Sequence, residues 1–167
     1  MNSNGLARNV VKGAVSGLAA TYLMNQTTTW LYERESDDTR AREDDARGGQ
    51  SAYVNMAESL AGLFGVRLGD EDKNRAGTAI HWSTGIIGGI KYAVLRRLRP
   101  ELTAGYGLAY GLGFYVVLDE LMNPLLGFTP GPAAFPWQAH ARGLAGHLVY
   151  GASNHAALRL LDRSTAV

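Results

Sequence analysis

Cysteine is absent from this 167-residue chain. The absence excludes disulfides, thiolate nucleophiles, cysteinyl metal sites and iron–sulfur clusters, and it leaves the redox compartment unreadable. An excess of either charge is also missing: the net charge is +1, with no sustained basic face and no nucleic-acid motif, so nucleic acid is excluded as a partner. No HExxH, phosphate loop or dinucleotide fingerprint appears. The GAVSG segment around Ser16 differs from the GxSxG nucleophile elbow, which needs a central serine at a strand-to-helix turn. The opening MNSNGLARNVVKG lacks the order of a secretory signal, so any targeting falls to the first apolar span.

What is present is organised by position rather than by amount. A hydrophobic share of 46% with 19% charged residues would suit an ordinary soluble protein. The charges concentrate at 33–47 and 70–75, however, and leave four stretches of roughly 20 to 25 residues with few of them, the length of a membrane-crossing helix. The expected fold is therefore all-α: an integral membrane four-helix bundle forming a single membrane domain over 1–167. Its spans are expected near 6–32, 76–98, 102–126 and 137–161. Gly13 and Gly17, Gly85 and Gly89, and Gly107 and Gly111 repeat at i, i+4, where small residues let helix backbones approach. Residues 33–50 mix both signs with almost nothing apolar and are expected to be a solvated loop. Val54, Ala57, Leu60, Ala61 and Phe64 recur at helical spacing, so 51–66 is expected to be a short amphipathic interfacial helix after the first span.

The stretch 107–137 organises the chain. An apolar, glycine-studded helix pattern there carries Asp119 and Glu120 side by side before Pro124 and the GFTPGP turn end it. Carboxylates inside such a run are costly in hydrocarbon, so they mark a site. The arginine cluster at 96–99 against an arginine-free third loop places both termini and the second loop in the cytoplasm. His81, Asp119, Glu120 and His140 then fall in the outer half of their spans, with His147 deeper on the His140 face. Adjacent helical residues point about 100° apart, so only one of Asp119 and Glu120 is expected to face the bundle interior. Two readings stay open for this polar cluster, a titratable site or an interhelical clamp. Haem or a metal at the histidines would need ligands from a second helix, and no dedicated ligand spacing is present; the expectation is no cofactor and no metal.

The run DELMNPLLGFTPGPAAFPWQAHARGLAGHLVYG resembles the YagU-like bacterial inner-membrane proteins, a family of unknown function. The resemblance is specific at Asp119, Glu120, Pro124, Gly127, Pro136, His140, His147, Tyr150 and Gly151. It is looser at His81, Tyr92, Pro100 and Gly107. It implies a multi-pass membrane protein with a link to acid resistance of undefined mechanism. The chain departs from the family in lacking a proline-arginine segment after the first span and in the dense charge of its first loop.

Three functions follow as expectations: proton or envelope homeostasis through the Asp/Glu-His cluster, a non-catalytic structural or accessory subunit, or a haem- or metal-binding membrane protein. Enzymatic activity is not indicated. The expected surroundings are the bilayer of the bacterial inner membrane, with a homo-oligomer or other membrane subunits as partners.

Overall fold

The computed structural model describes residues 3–164 and is all-helical, with no strand among them. Three long helices, α1 (Ser3–Tyr32), α4 (Asp70–Leu98) and α7 (Trp137–Arg163), carry the bundle. Between the first two lie α2 (Asp37–Arg47) and α3 (Ala52–Leu63). A 3-10 segment, Pro100–Gly107, leads into α5 (Leu108–Tyr115), which continues as a π-helix over Val116–Met122 and ends in the single turn α6 (Asn123–Leu125). Helix α1 packs on both α4 and α7, and α5 packs on α7.

The glycines set these contacts. A Cβ added to Gly13 would lie 2.6 Å from the Ile90 Cα, and one on Gly17 would lie 2.7 Å from the Gly85 carbonyl oxygen. The same atom on Gly89 would collide with the Gly13 carbonyl, on Gly85 with the Thr21 hydroxyl, on Gly107 with the Gly151 carbonyl, and on Gly111 with the His147 carbonyl. Backbone therefore meets backbone on one line from α1 to α4 and on another from α5 to α7, as small-residue helix faces permit. Tyrosine hydroxyls tie the two lines together: Tyr150 donates to the Gly85 carbonyl at 2.6 Å and Tyr110 to the Gly88 carbonyl at 2.7 Å.

Burial runs opposite to the usual soluble pattern. The inward stripe of α1 carries Asn9, Lys12, Ser16 and Thr21, while Val11, Val15, Leu18 and Tyr22 are exposed. Asn123, Arg142, His147 and Asn154 are likewise buried, whereas Leu112, Val117, Leu121 and Leu160 face outward. Mean hydropathy along each helix averages these two faces, and among the described residues no helix is long and apolar enough to cross a membrane. The all-α expectation holds, and the membrane-spanning description is not carried by helix hydropathy.

Element bounds correct the sequence expectations in several places. Residues 33–50 are not a solvated loop but hold α2. Ser36 caps its start by accepting from the Thr39 N–H, Gly48 in the left-handed region (φ 62°) closes it, and Thr39 and Glu43 are buried. Its charges pair one turn apart, Asp37 with Arg40, Asp38 with Arg42 and Glu43 with Arg47, which supports a helix that apolar periodicity does not announce. Helix α3 does not lie apart: Val54 sits under Gly77 of α4, and the Asn55 amide donates to the Phe128 carbonyl at 2.8 Å. The second long helix begins at Asp70 rather than 76, because Asp70, Glu71 and Asp72 favour its N-terminal dipole. The third begins at Leu108 rather than 102, since Ala104 leaves the helical region and Gly105, Tyr106 and Gly107 take positive φ.

The two ends of the bundle differ. At the end that holds the 3-10 segment, Asp162 of α7 accepts from Lys12 Nζ of α1 at 2.9 Å and from an Arg96 guanidinium nitrogen of α4 at 2.6 Å. Here also His155 Nδ1 meets the Tyr92 hydroxyl at 2.7 Å. At the opposite end α2, α3 and the 126–136 connection converge over α5, α6 and α7.

Two outcomes follow. Gly111→Leu forces a side chain into the α7 backbone, whereas Gly113, two residues on, has nothing within 4 Å of an added Cβ. Thermal melts in detergent should show Gly111→Leu losing more than the roughly 1 to 3 kcal/mol of ordinary overpacking, with Gly113→Leu near wild type. At Asp162, burial alone would raise the carboxyl pKa, but the Lys12 and Arg96 hydrogen bonds outweigh it and hold the group below its ordinary value. A carboxyl more acidic in the folded than the unfolded chain adds stability that is complete above its unfolded pKa, about 3.9, and is lost as pH falls through the folded one. Asp162→Asn should therefore melt earlier than wild type at neutral pH, and the two curves should converge below about pH 4.

Candidate functional site

A cavity of about 450 Å³ opens at the capped end, between the helix bundle and the α2–α3 cover. Its walls draw on α1 (Asn25, Tyr32), α2 (Glu43, Arg47), α3 (Tyr53) and α4 (His81). The floor comes from Tyr115, Asp119, Glu120 and Asn123, and α7 supplies His140 and Arg142.

The π-helix decides how the acids meet it. Val116–Met122 bonds in the i to i+5 register, which widens the turn, and such segments recur at functional sites. Tyr115 and Glu120, five apart, are thereby hydrogen-bonded to each other through the tyrosine hydroxyl. Asp119 and Glu120 both line the cavity, so the expectation that only one faces inward is corrected: it assumed the angular step of an α-helix. Each acid faces a different histidine of α7. Glu120 Oε1 lies 2.7 Å from His140 Nδ1, and Asp119 Oδ2 lies 3.6 Å from His147 Nδ1.

His140 is placed between two acceptors. Its Nε2 lies 3.0 Å from the Pro132 carbonyl, which can only accept, and its Nδ1 faces Glu120. The Nε2 nitrogen must carry hydrogen, so the short contact at Nδ1 requires a second proton: either the imidazole is cationic or Glu120 is protonated. The pair thus holds one exchangeable proton whichever group carries it. The Tyr115 hydroxyl also approaches the His140 carbonyl at 3.1 Å, tethering the same turn.

His147 makes a different bond. Its Nδ1–H donates to the Gly143 carbonyl at 3.0 Å, a strut within α7. His81 Nε2 pairs with the Asn25 side-chain oxygen at 2.9 Å, and its ring meets Tyr53 edge-on at 4.8 Å between centroids. Of the five polar residues singled out in the sequence, His81, Asp119, Glu120 and His140 share the cavity, while His147 lies behind Asp119 on its far side. Burial, with the Asp119 charge adding to it, pushes the Tyr53 hydroxyl above its ordinary value and keeps it a donor. Among the described residues no three histidine or carboxylate groups are close enough to hold a metal ion.

Sequence reasoning missed the tie that covers the cavity. Arg142, only 8% exposed, reaches from α7 to both Glu43 oxygens at 2.5 Å and to Glu35, with its guanidinium 4.9 Å from the Tyr32 ring centroid. Arg142, set inside the fourth span and well away from Arg159 near its end, was the available signal, because a buried guanidinium demands carboxylates. Its partners are about a hundred residues away, and no local pattern names them.

Arg142→Met should therefore leave Glu35 and Glu43 without their shared partner. The expected loss is about 3 to 5 kcal/mol, and Arg142→Lys should not restore it, since an ammonium lacks the fork that spans two carboxylates. Amide hydrogen exchange would report this as faster exchange confined to α2.

No curated protein and no solved structure matches the chain. Residues 64–156 match the family described as protein of unknown function, DUF1440. That stretch includes His81, the π-helix with both acids, His140, Arg142 and His147, while α1, α2 and Tyr53 lie before it. Since the match covers more than half of the sequence, the chain belongs to the DUF1440 family.

Proposed function

We propose that this protein is a membrane-embedded helical bundle of the YagU-like type whose cavity holds a titratable proton serving proton or envelope homeostasis. The observation that carries the proposal is His140 held between the Pro132 carbonyl and Glu120, an arrangement that is complete only with an exchangeable proton on the pair. Histidine and carboxylate are the side chains whose protonation responds to external acid. Both groups of the pair line the cavity and are partly exposed, which gives the proton an aqueous side.

The inverted burial supports the bilayer setting. A soluble bundle would turn Val11, Val15 and Leu18 inward and Asn9, Ser16 and Thr21 outward; this chain does the opposite. Small and polar inward faces lower the mean hydropathy of each helix without putting polar groups against lipid. Helix α1, at 30 residues, reaches about 45 Å, ample for a hydrocarbon layer of about 30 Å. Arg96, Arg97 and Arg99 in one short connection against none in 126–136 orient the end that holds the 3-10 segment to the cytoplasm and the cavity outward, in a bacterial inner membrane, the long 33–50 segment counting little in this rule. The role needs no cofactor.

A second reading is a non-catalytic accessory subunit, favoured by Leu63 and Phe64, which are 79% and 83% exposed at the end of α3 and offer an apolar contact to another chain.

Glu120→Gln keeps the shape but removes the group that can lose or share the proton, so it should shift acid survival or proton flux while membrane abundance stays at wild-type level. Glu120→Ala should lower abundance as well, because it strips a partner from His140 and Tyr115, at a cost of about 1 to 3 kcal/mol. Wild-type acid response from Glu120→Gln at normal abundance would reject proton handling and leave the accessory role.

A further inference from the structure

The Glu120–His140 pair does not exhaust the cavity. Glu43 is bonded by Arg142 and paired with Arg47, and Glu120 is taken by Tyr115 and His140. Asp119 is different. Among the described residues its carboxylate accepts no hydrogen bond; His147 Nδ1 stands 3.6 Å away and gives its proton to the Gly143 carbonyl. The acid therefore presents free acceptor positions to a space of about 450 Å³, within the range of small-molecule sites.

Charge and shape narrow what would fill it. The Glu120–His140 pair is neutral overall in either proton arrangement. The remaining charged walls are then Glu43, Asp44 and Asp119 against Arg47 and Arg142, an excess of one carboxylate. Glu35 adds another just behind Arg142, and Arg47 and Arg142 each already face a carboxylate, so the walls favour a cation over an anion. The same cavity is lined by the aromatic rings of Tyr53, Tyr115 and Phe135. A carboxylate beside aromatic rings suits an ammonium group, which a carboxylate bonds through its N–H donors and a ring face attracts electrostatically.

We infer that the cavity binds a small organic amine in its protonated form, with the ammonium on Asp119 and an apolar body against Tyr53, Tyr115 and Phe135. The inference rests on the proposed function only in taking this cavity as the working site. It uses Asp119, whereas proton handling was assigned to Glu120 and His140. An amine seated there would oppose uptake of a further proton by the neighbouring pair, since both acids occupy one turn.

The test is calorimetric titration of the purified full chain in detergent, at neutral pH, with three probes of one shape: 2-phenylethylamine as cation, 2-phenylethanol as neutral body and 3-phenylpropionate as anion. The amine should bind saturably, and the other two should bind roughly tenfold or more weakly, the loss expected when a charge-assisted bond is absent. Asp119→Asn should weaken the amine by a similar factor, Asp119→Glu should recover part of it, and Asp162→Asn at the opposite end should bind like wild type. Absence of saturable amine binding, equal binding of the three probes, or full amine affinity in Asp119→Asn would overturn the inference. Should Asp119→Asn fail to fold, discrimination among the probes by the wild-type chain decides alone. Amine binding is read on purified protein, and the acid response of Glu120→Gln is read in cells, so either result can fail while the other stands.

Discussion

The bundle depends on backbone touching backbone. At Gly13, Gly17 and Gly89 between α1 and α4, and at Gly107, Gly111 and Gly151 between α5 and α7, even one carbon would collide with main chain. Helices brought this close leave little room for large apolar side chains between them. Beside the tyrosine cluster of Tyr92, Tyr110 and Tyr150 with Leu158, much of what fills the interior is small or polar, and the hydroxyls of Tyr110 and Tyr150 reach main-chain carbonyls of α4. The exposed apolar surface follows from the same constraint, because residues too large for the close seams can only point outward. Ridges of leucine and valine that would form the core of a soluble bundle become its outer surface here.

Close packing also separates the two ends. At the end that holds the 3-10 segment, Lys12, Asp162 and Arg96 join α1, α7 and α4 in one ionic knot. At the other end the helices do not meet side by side, and the gap is roofed by α2 and α3. Arg142 holds the roof by drawing Glu35 and Glu43 inward, at the same level where α7 supplies His140. The charged segment after α1 is thus part of the site's wall. Removing a buried guanidinium from such a pair costs more than the pair itself contributes, because two carboxylates would be left in a place that water reaches poorly.

Within this frame the π-helix is a local departure with a chemical result. A regular α-helix from Leu108 to Leu125 would have sent Asp119 and Glu120 to different faces. The wider turn brings Glu120 over Tyr115 and leaves Asp119 beside it, so one segment presents a bonded acid and an open one to a single cavity. The two carboxylates are chemically alike and one residue apart, yet their surroundings differ: Glu120 is bonded to Tyr115 and His140, and Asp119 accepts no hydrogen bond among the described residues.

Much of the helical layout was legible in the sequence, since charge spacing marked four long helical stretches and the glycine pairs marked where they touch. Asp119 and Glu120 stood out because carboxylates in an apolar run have no cheap explanation, and the fold brings both to one cavity. The helix over 37–47 was not legible, because its order comes from ion pairs one turn apart and from Arg142, and neither leaves an apolar period. Nor was the direction of the two acids, which turned on a change of hydrogen-bond register just after α5 that no residue type announces. The partition of the histidines was likewise a tertiary decision: His140 went to Glu120, His81 to Asn25 and His147 to its own helix. Sequence determines which residues can bond and along which face they lie. Which donor meets which acceptor is set by how closely the glycine seams let the helices approach, and that distance exists only in the folded chain.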